Sequence, residues 1–582
     1  DHTLTTNLLT NAYLEFDVIP GLTFRSTIGL GLDFSKRNQY LSTILPNRVA
    51  TGQDGEAAII SRNSRDILNE NTVTYDKDFN EHSLKVLAGY TTQTTKFESS
   101  RSGAYGFVND VVTFNNLALG SEPTQNSVSS NYEKRTFESI LGRINYSYKD
   151  KYLLTLVGRR DGSSVFEEGN KYAFFPSLGA AWRIGQESFM QSIDYISNLK
   201  LRVSHGIVGE QGVPAYNSLS RYTPYVNFLN NEVSNAVILE NLASSNLNWE
   251  TTTQTDIGIE VGLLNNRYSL ELDYYNKRTK DLLLNRPLPG TAGSTRLENV
   301  GEIENKGVEL SINSLNIDKP DFTWSTNLTI SANKNKVLSI GDGQEFITLD
   351  NPNGSSGPSI RIMPGHPAPV FLGATYLGTY KTPAEIDSDG IVGSVIGGPR
   401  YIDLDGNGAI NQLDFIVHGD PNPEFYGGLR NTITYKEFTL DFFFHGSYGN
   451  EILNGAYHLG YFGRDPRSNL LPIVKDRWTT SNQNSDIPRA GSSFGNYQQR
   501  SDVSYQDGSF LRLKNVTLTY DLDIPRIKRA SIYLTGNNLL LLTKFKHGDP
   551  EQSNYGDGLA QGVANGGYPY NSSFALGFNI TL

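Results

Sequence analysis

The chain is dominated by an alternation of apolar and polar residues at a spacing of two. In Tyr268–Tyr274, tyrosine and leucine occupy one set of positions, and serine, glutamate and aspartate occupy the other. The final segment repeats the pattern with Phe574, Leu576, Phe578 and Ile580. Side chains of a β-strand point to opposite faces in turn, which produces this period. The pattern predicts an all-β protein.

About 17 segments carry the alternation, and they are long, roughly nine to fourteen residues. They are residues 8–18, 22–34, 71–79, 82–98, 136–148, 152–163, 172–184, 199–209, 249–263, 267–283, 299–316, 322–336, 424–435, 438–448, 509–522, 529–541 and 572–582. Strands of soluble sandwiches cluster near five or six residues. A tilted membrane crossing needs about nine to eleven, so the lengths favour a membrane protein.

The connections between these segments alternate in length. Short ones recur, such as Asn80-Glu81 and Lys436-Glu437, and long polar ones lie between them at residues 33–70, 100–135, 210–248, 338–421, 449–506 and 542–571. Short periplasmic turns and long extracellular loops are typical of an outer-membrane β-barrel. The alternative is a soluble β-sandwich, such as an extracellular calcium-binding adhesin, which would be extracted without detergent.

Composition agrees with the barrel once the alternation is recognised. Apolar residues make up 37% of the chain, and no apolar stretch approaches the length of a membrane helix. A barrel gives this result because lipid-facing and lumen-facing residues average out. The net charge of −11 argues against a nucleic-acid partner, and the absence of cysteine leaves no disulfide framework.

Strand parity adds an expectation about the rest of the protein. If the long connections are extracellular, the first and last visible strands both run towards the periplasm, so an odd number of strands precedes the first. Single-chain bacterial barrels have an even number of strands, and open edges are not tolerated in lipid. We therefore expect residues 1–582 to be the C-terminal part of a barrel of about 22 strands, whose first strands and plug lie outside this sequence.

Several runs resemble the SusC/RagA family of TonB-linked outer-membrane proteins of Bacteroidetes. They occur in family order along nearly the whole chain and include Arg143–Leu154, Asn248–Thr252, Asn305–Leu310, Asp507–Asn515 and Asp549–Glu551. The resemblance implies a 22-stranded transmembrane antiparallel β-barrel with an internal plug, located in the Gram-negative outer membrane. It also implies a SusD-like lipoprotein lid over the outer mouth and energy from TonB–ExbB–ExbD, reached through an N-terminal segment outside this sequence.

The function expected from this resemblance is active import of an oligomeric nutrient, a glycan or a peptide. It involves no covalent chemistry, so the chain is not expected to be an enzyme, and it is compatible with a dimer of transporter–lid pairs. A siderophore or cobalamin receptor is one alternative, and a passive barrel or structural scaffold is another.

One motif predicts a metal site. Residues 403–414 lie in the long loop 338–421 and fit the twelve-residue calcium loop, which places oxygen donors at positions 1, 3, 5, 7, 9 and 12 and glycine at position 6. The donors are Asp403, Asp405, Asn407, the Ala409 carbonyl, Asn411 and Asp414. Alternate residues of a tight loop bring several oxygens to one point, as Ca²⁺ (or Mg²⁺) requires. The alternative is an Asp/Asn/Gly turn without metal.

Substrate and lumen residues are less specific in sequence. The loop aromatics Tyr376, Tyr380, Tyr461 and Phe462 could stack on sugars or contact peptides, or could simply pack against the lid. Acidic residues on the polar strand faces are expected to line the lumen, namely Asp256, Glu260, Glu271, Asp273 and Glu309.

Three remaining features carry little weight. Gly491–Gly495 matches a nucleophile-elbow pattern but lies in a polar loop rather than a strand-to-helix turn. His445 follows three phenylalanines and is expected to be a wall residue rather than a ligand. Residues 185–198 could form a brief helix or an irregular loop.

Overall fold

The computed structural model describes residues 1–51, 54–122, 127–229, 232–244, 246–287, 295–341, 343–349, 359–462, 469–491, 501–552, 561–564, 566–568 and 570–581. The α-helices in this part of the chain are α1 (Pro46–Thr51), α2 (Pro383–Asp389) and α3 (Gly455–Phe462). The strands are β1 (His2–Ile19), β2 (Leu22–Leu41), β3 (Gly55–Phe79), β4 (His82–Phe107), β5 (Ser127–Tyr148), β6 (Tyr152–Ser163), β7 (Tyr172–Arg183), β8 (Ile196–Glu210), β9 (Arg221–Leu229), β10 (Glu232–Asn241), β11 (Glu250–Leu263), β12 (Tyr268–Pro287), β13 (Thr295–Lys319), β14 (Phe322–Ile340), β15 (Ile347–Leu349), β16 (Ser359–Ile362), β17 (Val370–Gly373), β18 (Tyr376–Thr379), β19 (Pro399–Tyr401), β20 (Ile416–Gly419), β21 (Phe425–Tyr435), β22 (Phe438–Tyr448), β23 (Glu451–Asn454), β24 (Tyr505–Asp507), β25 (Phe510–Leu522), β26 (Arg529–Thr543), β27 (Val563–Ala564) and β28 (Ser573–Thr581).

Seventeen strands form one large antiparallel sheet: β1–β8, β11–β14, β21, β22, β25, β26 and β28. Strands that follow one another in this series pair antiparallel, as β1 with β2, β4 with β5 and β25 with β26 do. Each of these strands contains or closely matches one of the segments chosen from the alternation. The all-β antiparallel architecture is therefore confirmed.

The short connections are tight turns that the local sequence favours. β3 and β4 are joined through Asn80, which has a φ of 55°, and β21 and β22 are joined through Lys436, which has a φ of 50°. Asparagine tolerates this left-handed region better than most residues. Aromatic pairs flank these turns, such as Phe438 and Tyr520 with ring centroids 4.7 Å apart. Aromatic girdles of this kind sit at the membrane interface of outer-membrane barrels.

The large apolar side chains on one face of the sheet are exposed. On β28, Leu576 is 67% exposed and Phe578 is 65% exposed. Their cross-strand partners Leu534 and Ile532 on β26 continue the same face. Acyl chains solvate such a surface, whereas water does not. We call this the apolar face and the opposite one the inner face.

Several strands are longer than the alternation predicted, because they continue into the connections assigned to loops. β3 begins at Gly55 rather than near residue 71, β4 ends at Phe107, and β5 begins at Ser127. Residues 61–66 of β3 remain paired with 95–100 of β4 although both are largely polar. Both faces of a strand can be polar where it leaves the bilayer, so the ladder continues after the apolar signal has ended.

Residues 185–198 form no α-helix. A single 3-10 turn spans Ile184–Gln186, and β8 begins at Ile196. The Trp182 indole donates a hydrogen bond of 3.1 Å to Glu187, which holds this connection. No helix in the described part of the chain is long and apolar enough to cross a membrane.

The chain divides into two compact units. The first comprises residues 1–181, 204–253 and 281–299. A core around Trp249 stabilises it, with Phe166 and Phe175 in ring contact and Val213 and Leu247 fully buried.

The second unit comprises residues 182–203, 254–280 and 300–582. Its long connections contain the small strands β15–β20, β23, β24 and β27, with a core formed by Ile360, Phe371, Leu453 and Val563. The connection after β14 is therefore a folded loop layer.

Candidate functional site

A pocket of about 410 Å³ opens on the inner face of β3, β4 and β5 in the first unit. Asp66 accepts a hydrogen bond of 2.8 Å from the Gln93 amide and one of 2.9 Å from the Thr95 hydroxyl. Phe97 and Phe137 contribute aromatic walls. Because Asp66 fixes these two polar groups in place, the pocket presents ordered hydrogen-bonding groups beside aromatic rings.

The same pocket contains a charged pair. The Arg135 guanidinium lies 3.3 Å from the Glu133 carboxylate, and both residues line the pocket. Amide, hydroxyl, carboxylate and guanidinium groups next to aromatic rings can bind a polar oligomer through several moderate hydrogen bonds. Sequence reasoning missed these residues because Arg135 and Asp66 lie in segments assigned to loops.

The acidic residues expected in the lumen lie on the inner face of the second unit, and several of them are ion-paired. Arg202 on β8 contacts Glu271 and lies 2.6 Å from Asp273 on β12. Lys200 lies 3.0 Å from Glu260 on β11. This part of the wall is a network of two cations and three carboxylates rather than a row of freely solvated acids.

The remaining two acids are placed differently. Gln254 donates a hydrogen bond of 2.8 Å to Asp256, and Glu309 is exposed on β13. A side chain at Gly258 would collide with Arg202 and Asp273, so the glycine leaves room for the network.

The predicted calcium loop brings its carboxylates together. Asp403, Asp405 and Asp414 each offer a carboxylate oxygen, and these atoms lie within 4.8 Å of one another. Asp414 is fully buried and accepts backbone hydrogen bonds of 2.8 Å from Leu404 and 2.7 Å from Asn411. A carboxylate oxygen that accepts one hydrogen bond keeps a lone pair for a cation.

The glycine of the loop has the role expected for position 6. Gly408 has a φ of 78° and donates a hydrogen bond of 2.8 Å to Asp403. This backbone hydrogen bond is the largest cause of the lowered pKa of Asp403. The Asp403 carboxylate therefore stays charged to a lower pH than an ordinary aspartate does.

The remaining predicted ligands lie in the same loop. The side chain of Asn407 accepts a hydrogen bond of 2.8 Å from the Ala409 amide. The Asn411 amide contacts the Ala409 carbonyl at 3.2 Å. That this loop binds a metal ion stays a prediction.

The four loop aromatics proposed as substrate contacts lie in one region of the loop layer. Tyr376 is in ring contact with Tyr461 and Phe462. The Tyr376 and Tyr461 hydroxyls donate to the Asp486 carbonyl at 2.5 and 3.1 Å. Tyr380 is 1% exposed, and burial raises the pKa of Tyr461 to about 12. These contacts lie within the loop layer itself, and both a role in substrate binding and packing against the lid stay predictions.

A second acidic group in the loop layer was not found from sequence. Burial raises the pKa of Glu451 to about 7, with further contributions from Asp420 and Asp507. Its Oε2 atom is buried and has no hydrogen-bond partner among the described residues. Gly419, at the end of β20, approaches this carboxylate so closely that a side chain there would collide with it.

Two other features can be placed. His445 lies on β22, as expected of a wall residue, with its Nε2 atom 2.9 Å from Glu551. The Gly491–Gly495 pattern falls largely outside the described residues.

The long strands, the apolar face, the short turns and the folded loop layer together define a transmembrane β-barrel. Residues 1–539 match the family model described as "TonB dependent receptor-like, beta-barrel". The chain belongs to this family and is an outer-membrane protein.

Similarity to particular relatives agrees with this assignment. The chain is 39% identical to TonB-dependent receptor P26 of Formosa agariphila, over 100% of the chain and 60% of that protein. It is 28% identical to TonB-dependent receptor SusC of Bacteroides thetaiotaomicron, over 77% of the chain and 44% of that protein. The chain spans about 60% of the length of P26.

A solved structure shows the same fold. The RagAB peptide transporter superposes with a TM-score of 0.84 at 23% identity, covering 99% of this chain and 62% of that one. The expected SusC/RagA resemblance is confirmed.

Proposed function

We propose that the protein to which this chain belongs actively imports an oligomeric nutrient, a glycan or a peptide, across the outer membrane. It works with a SusD-like lipoprotein lid and takes its energy from TonB. The observation that carries the proposal is membership of the TonB-dependent receptor family across residues 1–539. The shared fold with the RagAB peptide transporter supports a peptide as one class of cargo, and the resemblance to the SusC/RagA family is the basis for proposing the lid and a glycan as the other class.

The inner-face pocket is the part of this chain that we assign to cargo binding. Gln93, Thr95 and Arg135 supply hydrogen bonds, and Phe97 and Phe137 supply apolar and stacking surface. Each neutral hydrogen bond contributes only about 0.5–1.5 kcal/mol. An oligomer therefore gains affinity by making many contacts and is released once a few of them are broken. Import of this kind requires no covalent step.

Uptake by the source bacterium tests the proposal. Deletion of the gene should abolish uptake of a labelled oligosaccharide or oligopeptide, and dissipation of the proton gradient should do the same in the wild type. Uptake that survives loss of the gradient would indicate a passive barrel. Loss of ferric-siderophore uptake alone would indicate the other class of TonB-dependent receptor.

Variants of the pocket assign the role to residues. Combined Gln93→Ala and Arg135→Ala substitutions should raise the half-saturating cargo concentration about tenfold, equivalent to roughly 1.4 kcal/mol. Thr94→Ala changes the neighbouring residue on the opposite face of β4 and should leave uptake unchanged. If the double substitution and Thr94→Ala had equal effects on uptake, this pocket would not be the cargo-binding site.

We also propose that loop 403–414 binds a structural calcium ion, with magnesium as the weaker alternative. The proposal is supported by the convergence of Asp403, Asp405 and Asp414 and by an all-oxygen donor set, which suits a hard cation. The two positive charges of the ion would offset most of the negative charge of the three neighbouring carboxylates and hold the loop closed.

A further inference from the structure

A groove of about 980 Å³ lies on the apolar face of β14, β21, β22, β25 and β26. One cross-strand row runs through it, in which each residue is paired with the next. The row consists of Ile330, Gly427, Gly446, Leu511 and Leu542. Its second and third members are glycines, so the wall is thin there and bulky at Ile330 on one side and at Leu511 and Leu542 on the other.

Both positions require glycine, because the backbone of a neighbouring strand approaches each of them closely. A Cβ at Gly427 would collide with the Thr329 carbonyl, and one at Gly446 would lie 2.7 Å from the Phe510 carbonyl oxygen. No side chain can therefore fill the depression from below. The groove is a fixed feature of the wall rather than a gap left by a mobile side chain.

Large apolar residues close the groove along the strand direction. Leu429 and Phe444 form the paired row on the side of the short turns, and Phe425 and Tyr448 form the paired row on the side of the long connections. The rings of Phe425 and Tyr448 are stacked at 5.2 Å, and their exposed fractions are 45% and 53%. Paired aromatics at strand ends mark the interface of a bilayer.

Among the described residues that line the groove, Lys544 at its mouth is the only lysine or arginine. Lys544, just beyond the end of β26, has a side chain that is 86% exposed, and its ammonium lies 3.8 Å from Asp507. The long connections place this end at the cell surface, so Lys544 lies at the headgroup level of the outer leaflet. An exposed ion pair at this distance is weak, so another anion can compete with Asp507 for the ammonium.

We propose that this groove is a specific binding site for a membrane lipid of the outer leaflet, with an acyl chain over Gly427 and Gly446 and an anionic headgroup at Lys544. The surrounding bilayer identifies the ligand, because an apolar groove in the lipid-facing wall is solvated by acyl chains. Its volume is within the range of specific ligand sites. Lysine supplies charge complementarity to a phosphate. The inference depends on the membrane-embedded wall and not on the cargo.

Native mass spectrometry of the detergent-purified full-length protein, equilibrated with lipid A or with dephosphorylated lipid A, tests the site. The wild type should retain one phosphorylated lipid A in preference to the dephosphorylated form. Leu542→Trp places an indole in the groove and should reduce the retained lipid at least tenfold. Leu576→Trp puts the same ring on the same face outside the groove and should have no effect. Lys544→Gln should abolish the preference between the two lipids and retain acyl binding.

Other results would contradict the proposed lipid site. Equal retention in the Leu542→Trp and Leu576→Trp proteins, or a ladder of lipids without a preferred first one, would mean unspecific annular lipid. A retained mass equal to a lipoprotein anchor in protein taken directly from the outer membrane would assign the groove to a partner. Loss of nutrient uptake is not a readout here, so failure of the transport proposal would not affect the result.

Discussion

The Arg512 guanidinium on β25 donates to both carboxylate oxygens of Asp549, at 2.6 and 2.7 Å. The two side chains are only 3% and 6% exposed. Glu551 contacts the same guanidinium and also pairs with His445 of β22. The connection after β26 is thereby fixed to the inner face of two strands. Arg512 belongs to the run Asp507–Asn515, and its two carboxylates belong to the run Asp549–Glu551. Both runs resemble the family, and in the structure they hold the connection after β26 to the wall.

Replacing Arg512 should be strongly destabilising. Arg512→Met would leave the buried Asp549 and the partly buried Glu551 without their cation, and loss of one partner of a buried pair costs about 3–5 kcal/mol. Denaturant unfolding of the micelle-bound protein measures this change. Arg529→Ala is the matched control, because Arg529 is 75% exposed and lies 3.9 Å from Asp521; we expect less than about 1 kcal/mol. Similar values for both variants would contradict the buried pair.

The membrane-crossing parts of the fold could be predicted from sequence because the bilayer enforces their pattern. Leu576 and Phe578 must face lipid and their neighbours must not, so the alternation survives in every crossing. The polar residues 61–66 and 95–100 obey no such constraint, and their pairing depends on contacts distant in sequence. Short buried strands such as Val370–Gly373 are too brief to distinguish from loops.

The candidate sites divide in the same way. The calcium loop is local, so its spacing could be recognised within twelve residues. The inner-face pocket combines residues of three strands, and no local motif joins Asp66 to Arg135. Tyr380 and Tyr461 are recognisable in the sequence as aromatics of long loops, but the sequence does not reveal that the loop layer buries them to 1% and 9% exposure. Burial inside a loop layer depends on its tertiary fold.

Calcium binding should depend on Asp414. Asp414→Asn removes one of three adjacent negative charges, and we expect calcium affinity to fall at least tenfold, roughly 1.4 kcal/mol. Isothermal titration calorimetry of chelator-treated protein with CaCl₂ and with MgCl₂ measures it. Asp387→Asn changes an exposed acid on α2 and serves as control. Absence of binding heat in the wild type would refute the cation proposal.

The loop layer should become less stable as pH rises through the titration range of Glu451. Its pKa is raised from 4.5 to about 7, chiefly by burial, so the folded form holds a proton that the unfolded form releases. Stability therefore falls between about pH 4.5 and 7, and the loss is complete above that window. Hydrogen exchange of β23 and β24, corrected for intrinsic rates, should show increased opening across it.

Glu451→Gln should remove this dependence and protect β23 and β24 at pH 8. The amide stays neutral at every pH and fills the same space. Glu345→Gln, at an exposed loop position, is the control and should leave the pH profile as in the wild type. An unchanged profile in Glu451→Gln would show that another group is responsible.

Neighbouring residues on one strand offer the sharpest test of the membrane wall. Leu518 and Thr519 adjoin in the interior of β25, and Leu518 is 44% exposed on the apolar face. Arginine on the lipid face costs about 2–4 kcal/mol at the bilayer midplane and about 0–1 kcal/mol near the interfaces, and Leu518 lies two residues from Tyr520 of the aromatic girdle. Leu518→Arg should therefore reduce the free energy of folding into lipid vesicles by an intermediate amount, about 1–2 kcal/mol. Thr519→Arg places the same charge on the inner face and should cost less than about 1 kcal/mol, since water solvates it there. If the two substitutions were equally tolerated, or if their order were reversed, the assignment of the apolar face to lipid would fail, and the groove, the girdle and the inner-face pocket would lose their basis together.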